Sequence, residues 1–223
     1  MHVSRAARSA IVSASLVATF APARARADEG PSDTGVALSV HLGYALLAGH
    51  FARDTGLDPL RSGTLVGGTL GWRFARAFEL SAWGEYAGGV AKMNASQCAS
   101  GACTAHDGQI GAEVAWHLLP GARVDPWVAA GFGYEWAIVS YPGLATSDPA
   151  LASVAYPAGS YLVTSPVLVR LEAGADVKLD SGFAIGPWLA GSLGRANHAD
   201  AGDTSDAPVH VWFALGVRGA FEP

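Results

Sequence analysis

The chain has 223 residues, half of them hydrophobic, with only 15% charged, 28 Gly, seven Trp and a mean hydropathy of +0.25. Its formal charge is −5, an acidic balance that argues against nucleic acid as a partner. After Ala27 no run approaches the about 20 apolar residues that a spanning helix needs, so some other structure must carry the apolar excess.

Residues 1–27 read as a targeting segment. Arg5 and Arg8 give a positive start, Ser9 to Phe20 an apolar stretch, and Ala25-Arg26-Ala27 a small-x-small site, with cleavage expected between Ala27 and Asp28. The apolar stretch is short and is followed at once by Pro22, Arg24 and Arg26, which argues against a retained helix. Removing it takes four of the 14 basic residues, leaving ten against 19 acidic ones and a formal charge of −9.

From Asp28 onward the dominant signal is alternation at period two, which sends successive side chains to opposite faces of a strand. In Gly35 to Ala48, the residues Val36, Leu38, Val40, Leu42, Tyr44 and Leu46 face one way, while Ala37, Ser39, His41, Gly43 and Ala45 face the other. The pattern recurs in Thr64 to Phe74, Phe78 to Tyr86, Gln109 to Leu118, Pro126 to Trp136, Val167 to Lys178, Phe183 to Leu193 and Val209 to Phe221. Each run is close to the roughly 9 to 11 residues with which a tilted strand crosses a bilayer.

The connections alternate in length. Ala75 to Ala77, Pro120 to Val124 and Asp180 to Gly182 are short, while residues 49–63, 87–108, 137–166 and 194–208 are long. Bacterial outer-membrane barrels place short turns in the periplasm and long loops outside, and an even strand count then leaves both termini periplasmic.

The large apolar face of each run comprises alternate residues from Val36 to Leu46, Thr64 to Phe74, Phe78 to Tyr86, Ile110 to Leu118, Pro126 to Trp136, Val167 to Val177, Phe183 to Leu193 and Val209 to Phe221. None is charged. The opposite face carries Arg73, Glu79, Glu85, Glu113, Glu135, Arg170, Glu172, Asp176, Lys178 and Arg218. A charge against lipid costs a few kcal/mol near the midplane, and this segregation is what that cost predicts.

Aromatic residues mark two levels. Trp72, Phe74, Phe78, Trp116, Phe183 and Phe221 fall at the turn ends of their strands, and Tyr44, Tyr86, Tyr134 and Trp136 at the loop ends, as expected for girdles at the two headgroup levels. The inside-out alternative is a soluble barrel with this face as its core. It meets a volume objection, since an eight-stranded interior is only just wide enough for side chains.

The sequence therefore predicts an all-β fold, a closed eight-stranded antiparallel up-and-down transmembrane β-barrel over residues 28–223. The chain resembles the small eight-stranded outer-membrane barrels typified by the transmembrane domain of outer membrane protein A and by OmpX. The resemblance covers Gly35 to Phe221 and rests on strands such as Gly67-Gly68-Thr69-Leu70-Gly71-Trp72-Arg73-Phe74 and Trp127-Val128-Ala129-Ala130-Gly131-Phe132-Gly133-Tyr134. It implies a monomer in the outer membrane of a Gram-negative bacterium, with lipid as its surroundings. It also implies recognition of a terminal aromatic residue by the barrel-assembly machinery. Phe221 fits that role, with Gly216 five residues before it, but Glu222 and Pro223 follow the aromatic and Gly219 stands where a hydrophobic residue is usual.

The candidate sites lie in the lumen and the loops. His41 and His117 join the inward charges, and the expected outcome is an internal ion-pair plug, with a narrow water or ion path as the alternative. Cys98 and Cys103 are expected to form a disulfide in an oxidising exterior, with free thiols or a metal cluster with His106 and Asp107 as the alternatives. The last loop holds Asp200, Asp203 and Asp206 with His198 and Ser205, expected to be a solvated polar loop, with a calcium site on the aspartates or a His-Ser hydrolase site as the alternatives. The loop before the sixth strand, with Tyr141, Leu151, Val154, Tyr156 and Tyr161, reads as a lid over the barrel mouth or a docking surface. There is no cofactor motif and no standard metal pattern. The leading expectation is a non-catalytic barrel acting in envelope integrity or surface recognition. Solute passage and a lipid-modifying enzyme are the alternatives.

Overall fold

The structure is a computed structural model that describes residues 34–48, 57–93, 104–141, 159–179, 182–199 and 209–221. Its strands are β1 (Gly35–Ala48), β2 (Leu57–Ala75), β3 (Phe78–Met93), β4 (Thr104–His117), β5 (Val124–Tyr141), β6 (Gly159–Lys178), β7 (Phe183–Arg195) and β8 (Val209–Phe221). A two-residue strand, His198–Ala199, adds to the loop end of β6. Among the described residues no helix is long and apolar enough to cross a membrane.

Every strand pairs antiparallel with the next, and β8 returns to pair with β1. His41, for example, lies between Gly67 of β2 and Arg218 of β8. Closure leaves no strand at a free edge of the sheet among the described residues, the condition for strands to cross hydrocarbon. Gly35 pairs with Arg73, and Phe221 with both Leu38 and Phe183, so both ends of the barrel lie at the end of the short turns.

Those turns are built locally. Arg76 and Ala77 link β2 to β3. The segment after β4 is tied to its neighbours, with His117 N–H donating to the Ala77 carbonyl at 2.8 Å and Lys178 N–H to the Arg123 carbonyl at 2.8 Å. Before β7, Gly182 takes φ 75°, a left-handed conformation that costs glycine nothing.

The alternation sorts as the sequence predicts. Leu42, Leu70 and Phe132 on the outer wall are more than 60% exposed, while Arg73, Glu79, Glu135 and Arg170 inside are at most 2% exposed. In water, so much bare apolar surface would forfeit roughly 25 cal/mol per Å², far beyond what a soluble monomer tolerates. The same surface is solvated by hydrocarbon at no such cost.

Two expectations need correction. Six of the runs, β2 through β7, continue past their predicted loop-side limits, so that β6 begins at Gly159 rather than Val167 and β5 reaches Tyr141. Hydrophobic alternation registers only the part of a strand that must look apolar. Backbone pairing beyond it needs no such side chains. Second, Val167 is 2% exposed and faces inward, whereas its neighbours Leu168 and Val169 both face outward. A register shift between Val167 and Val169 marks a bulge, and one extra residue reverses the facing of everything before it.

Several sequence features lie outside the described residues. They are the leader with Ala27 and Asp28, Cys98 and Cys103, Asp200, Asp203, Ser205 and Asp206, the central part of the loop between β5 and β6, and Glu222 with Pro223.

Candidate functional site

The lumen's side chains meet at three levels. Near the turns, Arg73 of β2 donates to His117 Nε2 of β4 at 2.8 Å. A guanidinium only donates, so the ring proton sits on Nδ1, which donates to Asp125 Oδ2 of β5 at 2.9 Å. Asp125 Oδ1 accepts from the Leu119 N–H at 3.2 Å, and Glu79 lies 3.6 Å from Arg73. Beside them Arg218 of β8 is paired with Asp176 of β6, and its guanidinium lies 4.7 Å over the Trp127 ring. Lys178 donates to the Pro120 carbonyl at 2.6 Å.

The middle level is organised by Arg170 of β6. It donates through Nε to Glu172 at 2.5 Å and through both terminal nitrogens to the two carboxylate oxygens of Glu85 on β3. Its planar face lies 4.1 Å over the Trp83 ring. Glu113 accepts from Ser81 at 3.2 Å, and His41 stacks 4.7 Å from Trp188. Every one of these charges is taken from water, and each has opposite charge or donors beside it, the condition on which burial is tolerated.

At the loop end, Glu135 of β5 accepts from His210 Nε2 at 2.7 Å and from Trp212 Nε1 at 2.5 Å, both on β8. Below lies a cavity of about 20 Å³ lined by Glu85, Asp107, Gln109, Arg170, Ser192 and Trp212 among alanines. That is room on the scale of a single water, and Arg170 forms part of its lining.

Four tryptophans, Trp83, Trp127, Trp188 and Trp212, fill the space between the charges. Glycines on facing strands make room for two of them. A Cβ on Gly133 would stand 2.8 Å from Trp83, and one on Gly174 would stand 2.6 Å from Trp127.

One grouping has the outline of nucleophilic machinery. Ser39 Oγ lies 2.9 Å from His41 Nε2, and His41 Nδ1 lies 3.7 Å from Glu85. Ser39 also bonds Thr69 at 2.8 Å, Glu85 is held by Arg170, and neither Ser39 nor His41 is more than 2% exposed or lines the cavity. Among the described residues no group of three or more His, Cys, Asp or Glu is placed to hold a metal ion.

The inward residues predicted from the sequence lie in the lumen except Lys178, whose side chain is 30% exposed at the turn-end rim against Pro120, and the lumen holds several more. Asp107 lies in a stretch that the pattern assigns to loop, Asp125 just ahead of a predicted strand, and Gln109, His210 and the tryptophans at uncharged inner positions. Strict parity along each strand, extended past its apolar part, would have found them all. On the outer wall, Phe78 stacks between Phe74 and Trp116 at 6.2 and 6.3 Å, and Phe183 meets Phe221 at 5.4 Å. At the loop end Tyr44 donates to Ser62 at 2.8 Å, Tyr86 lies 2.7 Å from His106 Nδ1, Tyr134 is exposed, and Trp136 covers Gly108.

No protein-family description matches the sequence, and no curated protein matches it. Among solved structures, the barrel is similar to Neisserial surface protein A, with a TM-score of 0.50 and 12% identity over 86% of this chain and 99% of that one. A major outer membrane protein from Thermus thermophilus gives a TM-score of 0.48 at 12% identity, over 84% of this chain and 100% of that one. The outer membrane protein OprG from Pseudomonas aeruginosa gives 0.45 at 12%, over 86% and 99%. The fold is that of the small eight-stranded outer-membrane β-barrels.

Proposed function

We propose that the chain is a non-catalytic integral protein of a Gram-negative outer membrane, a monomeric barrel with a filled lumen whose loops act at the cell surface in envelope integrity or recognition. On this reading residues 1–27 are a secretory leader, Phe221 is presented to the barrel-assembly machinery, both termini are periplasmic, the aromatic levels rest at the two headgroup regions, and Cys98 and Cys103 are bonded.

The observation that carries it is the plug at the middle level. Arg170 is clamped between Glu85 and Glu172 and stacked on Trp83. An eight-stranded interior has little space to spare around such a cluster, and a barrel that conducts nothing and encloses no reaction must act through its ends. Single-channel recording in planar bilayers tests this. The purified barrel is expected to show no steady openings. Steady openings that vanish or change with Glu113→Ala or Arg170→Ala would instead establish the alternative, a narrow path for small solutes.

A further inference from the structure

Pro187 stands in the middle of β7, where pairing with β6 is interrupted. Gly174 lies opposite Trp188 and Val177 opposite Ile185, and no pair is formed between them. A proline has no N–H to give to a ladder and is uncommon in an interior strand. The Pro187 carbonyl lies 2.9 Å from where a Cβ on Gly174 of β6 would stand. The nitrogen of the same residue faces the same neighbour in an antiparallel strand, so the donor is missing toward β6. The Ala175 carbonyl of β6 crowds the place a Cβ on Gly186 would take, which leaves glycine the only residue that fits there. On its other side β7 remains paired, Pro187 with Val217.

Beside the interruption the outer wall carries a groove of about 450 Å³, whose lining includes Ala173, Ala175, Pro187, Trp188, Leu189 and Leu215. Leu189 and Leu215, cross-strand partners each 59% exposed, rise together along one side, and Ala173, the partner of Leu189 on β6, and Ala175 leave the other side low. Pro187 is four residues beyond the girdle residue Phe183. At a rise of about 3.3 Å per residue and the usual tilt, the groove lies about 10 Å above the turn-end aromatics, within hydrocarbon.

We propose that this groove binds one acyl chain of a membrane phospholipid from the leaflet on the turn side. The proposal rests on the reading of the outer wall as lipid-covered, and the groove is continuous with that charge-free wall. Walls left without partner atoms lose their dispersion contacts. A flexible methylene chain fits an irregular hollow over Ala173, Ala175 and Pro187 beside the two leucines, whereas the convex wall of a second barrel would ride on those leucines and leave the hollow uncovered.

The test is native mass spectrometry of the full chain, folded and mixed with phosphatidylethanolamine in mild detergent. Three forms are compared: the parent, Ala173→Leu with Ala175→Leu to fill the groove, and Ala82→Leu with Ala130→Leu as a control elsewhere on the wall. Parent and control should retain one phospholipid per barrel. The filled variant should lose occupancy by roughly tenfold or more, the equivalent of about two methylenes of burial. Equal retention by the filled variant, or none by the parent, overturns the proposal. So does a parent dimer that the filled variant splits, which would make a second copy the occupant. Cold and boiled gel mobility of each form checks the barrel itself, and a parent with no heat-dependent shift would overturn the membrane reading rather than the groove alone.

Discussion

Arg170 of β6 donates to both carboxylate oxygens of Glu85 on β3, three strands away around the wall and 85 positions apart in sequence. Removing one partner of a buried pair leaves the other charge uncompensated, which typically costs about 3 to 5 kcal/mol. Arg170→Ala is therefore expected to lower the urea midpoint of the folded barrel by an amount of that size. Arg170→Met combined with Glu85→Leu and Glu172→Leu should recover most of it, because apolar replacements remove the whole cluster together. A midpoint unchanged by Arg170→Ala would mean that the clamp contributes nothing.

Gly174 of β6 is the cross-strand partner of Trp127 on β5, and a methyl group there would press on the indole at 2.6 Å. Gly174→Ala is expected to destabilise the barrel by about 1 to 3 kcal/mol, the usual cost of overpacking. Adding Trp127→Leu should return part of that loss in the same equilibrium unfolding measurement. The carbonyl of Pro187, which also borders the site, would keep the rescue incomplete.

The lipid-facing wall gives a depth-dependent prediction. Leu70→Arg, five residues from the turn, should cost about 2 to 4 kcal/mol, while Phe74→Arg at the girdle should cost the charge only about 0 to 1. Refolding into phospholipid vesicles at graded urea measures both. Equal costs at the two depths would contradict the assignment of this face to lipid.

How much of this was written in the sequence differs by level. The eight strands, their facing and the long-short alternation follow from a period of two and from the absence of any charge on one face, because lipid enforces that pattern at every turn of the pleat. The facing of Val167 did not follow. A bulge leaves no mark in a run such as Val167-Leu168-Val169, where every residue is apolar and either parity reads well. The ion pairs did not follow either. That Arg170 meets Glu85 rather than Glu79 or Glu135 depends on strand tilt and register around the closed barrel, and neither is encoded in local pattern. Trp83, Trp127, Trp188 and Trp212 were hidden for another reason. Tryptophan is usually read as an outward girdle residue in such a chain, and only Gly111, its partner Gly133 and Gly174, inner positions without a side chain, hint that large rings lie within.

The break at Pro187 bears on stability as well as on lipid. Pro187→Val supplies the missing N–H and a side chain of similar bulk suited to a strand. If the ladder closes, the gain should be about 0.5 to 1.5 kcal/mol, read as a higher urea midpoint. A lower midpoint would show that the interruption is held open by packing around Gly186 rather than by the absent donor.

The central claim, that this chain is a closed barrel embedded in the outer membrane, is tested most directly by gel mobility of the protein from isolated outer membranes, loaded cold or boiled in SDS. A closed transmembrane barrel resists SDS when cold, so the account predicts two distinct mobilities, with conversion of the cold form to the other on boiling. A protein recovered in the soluble periplasmic fraction with a single mobility would contradict it, and would mean that the apolar wall does not face lipid.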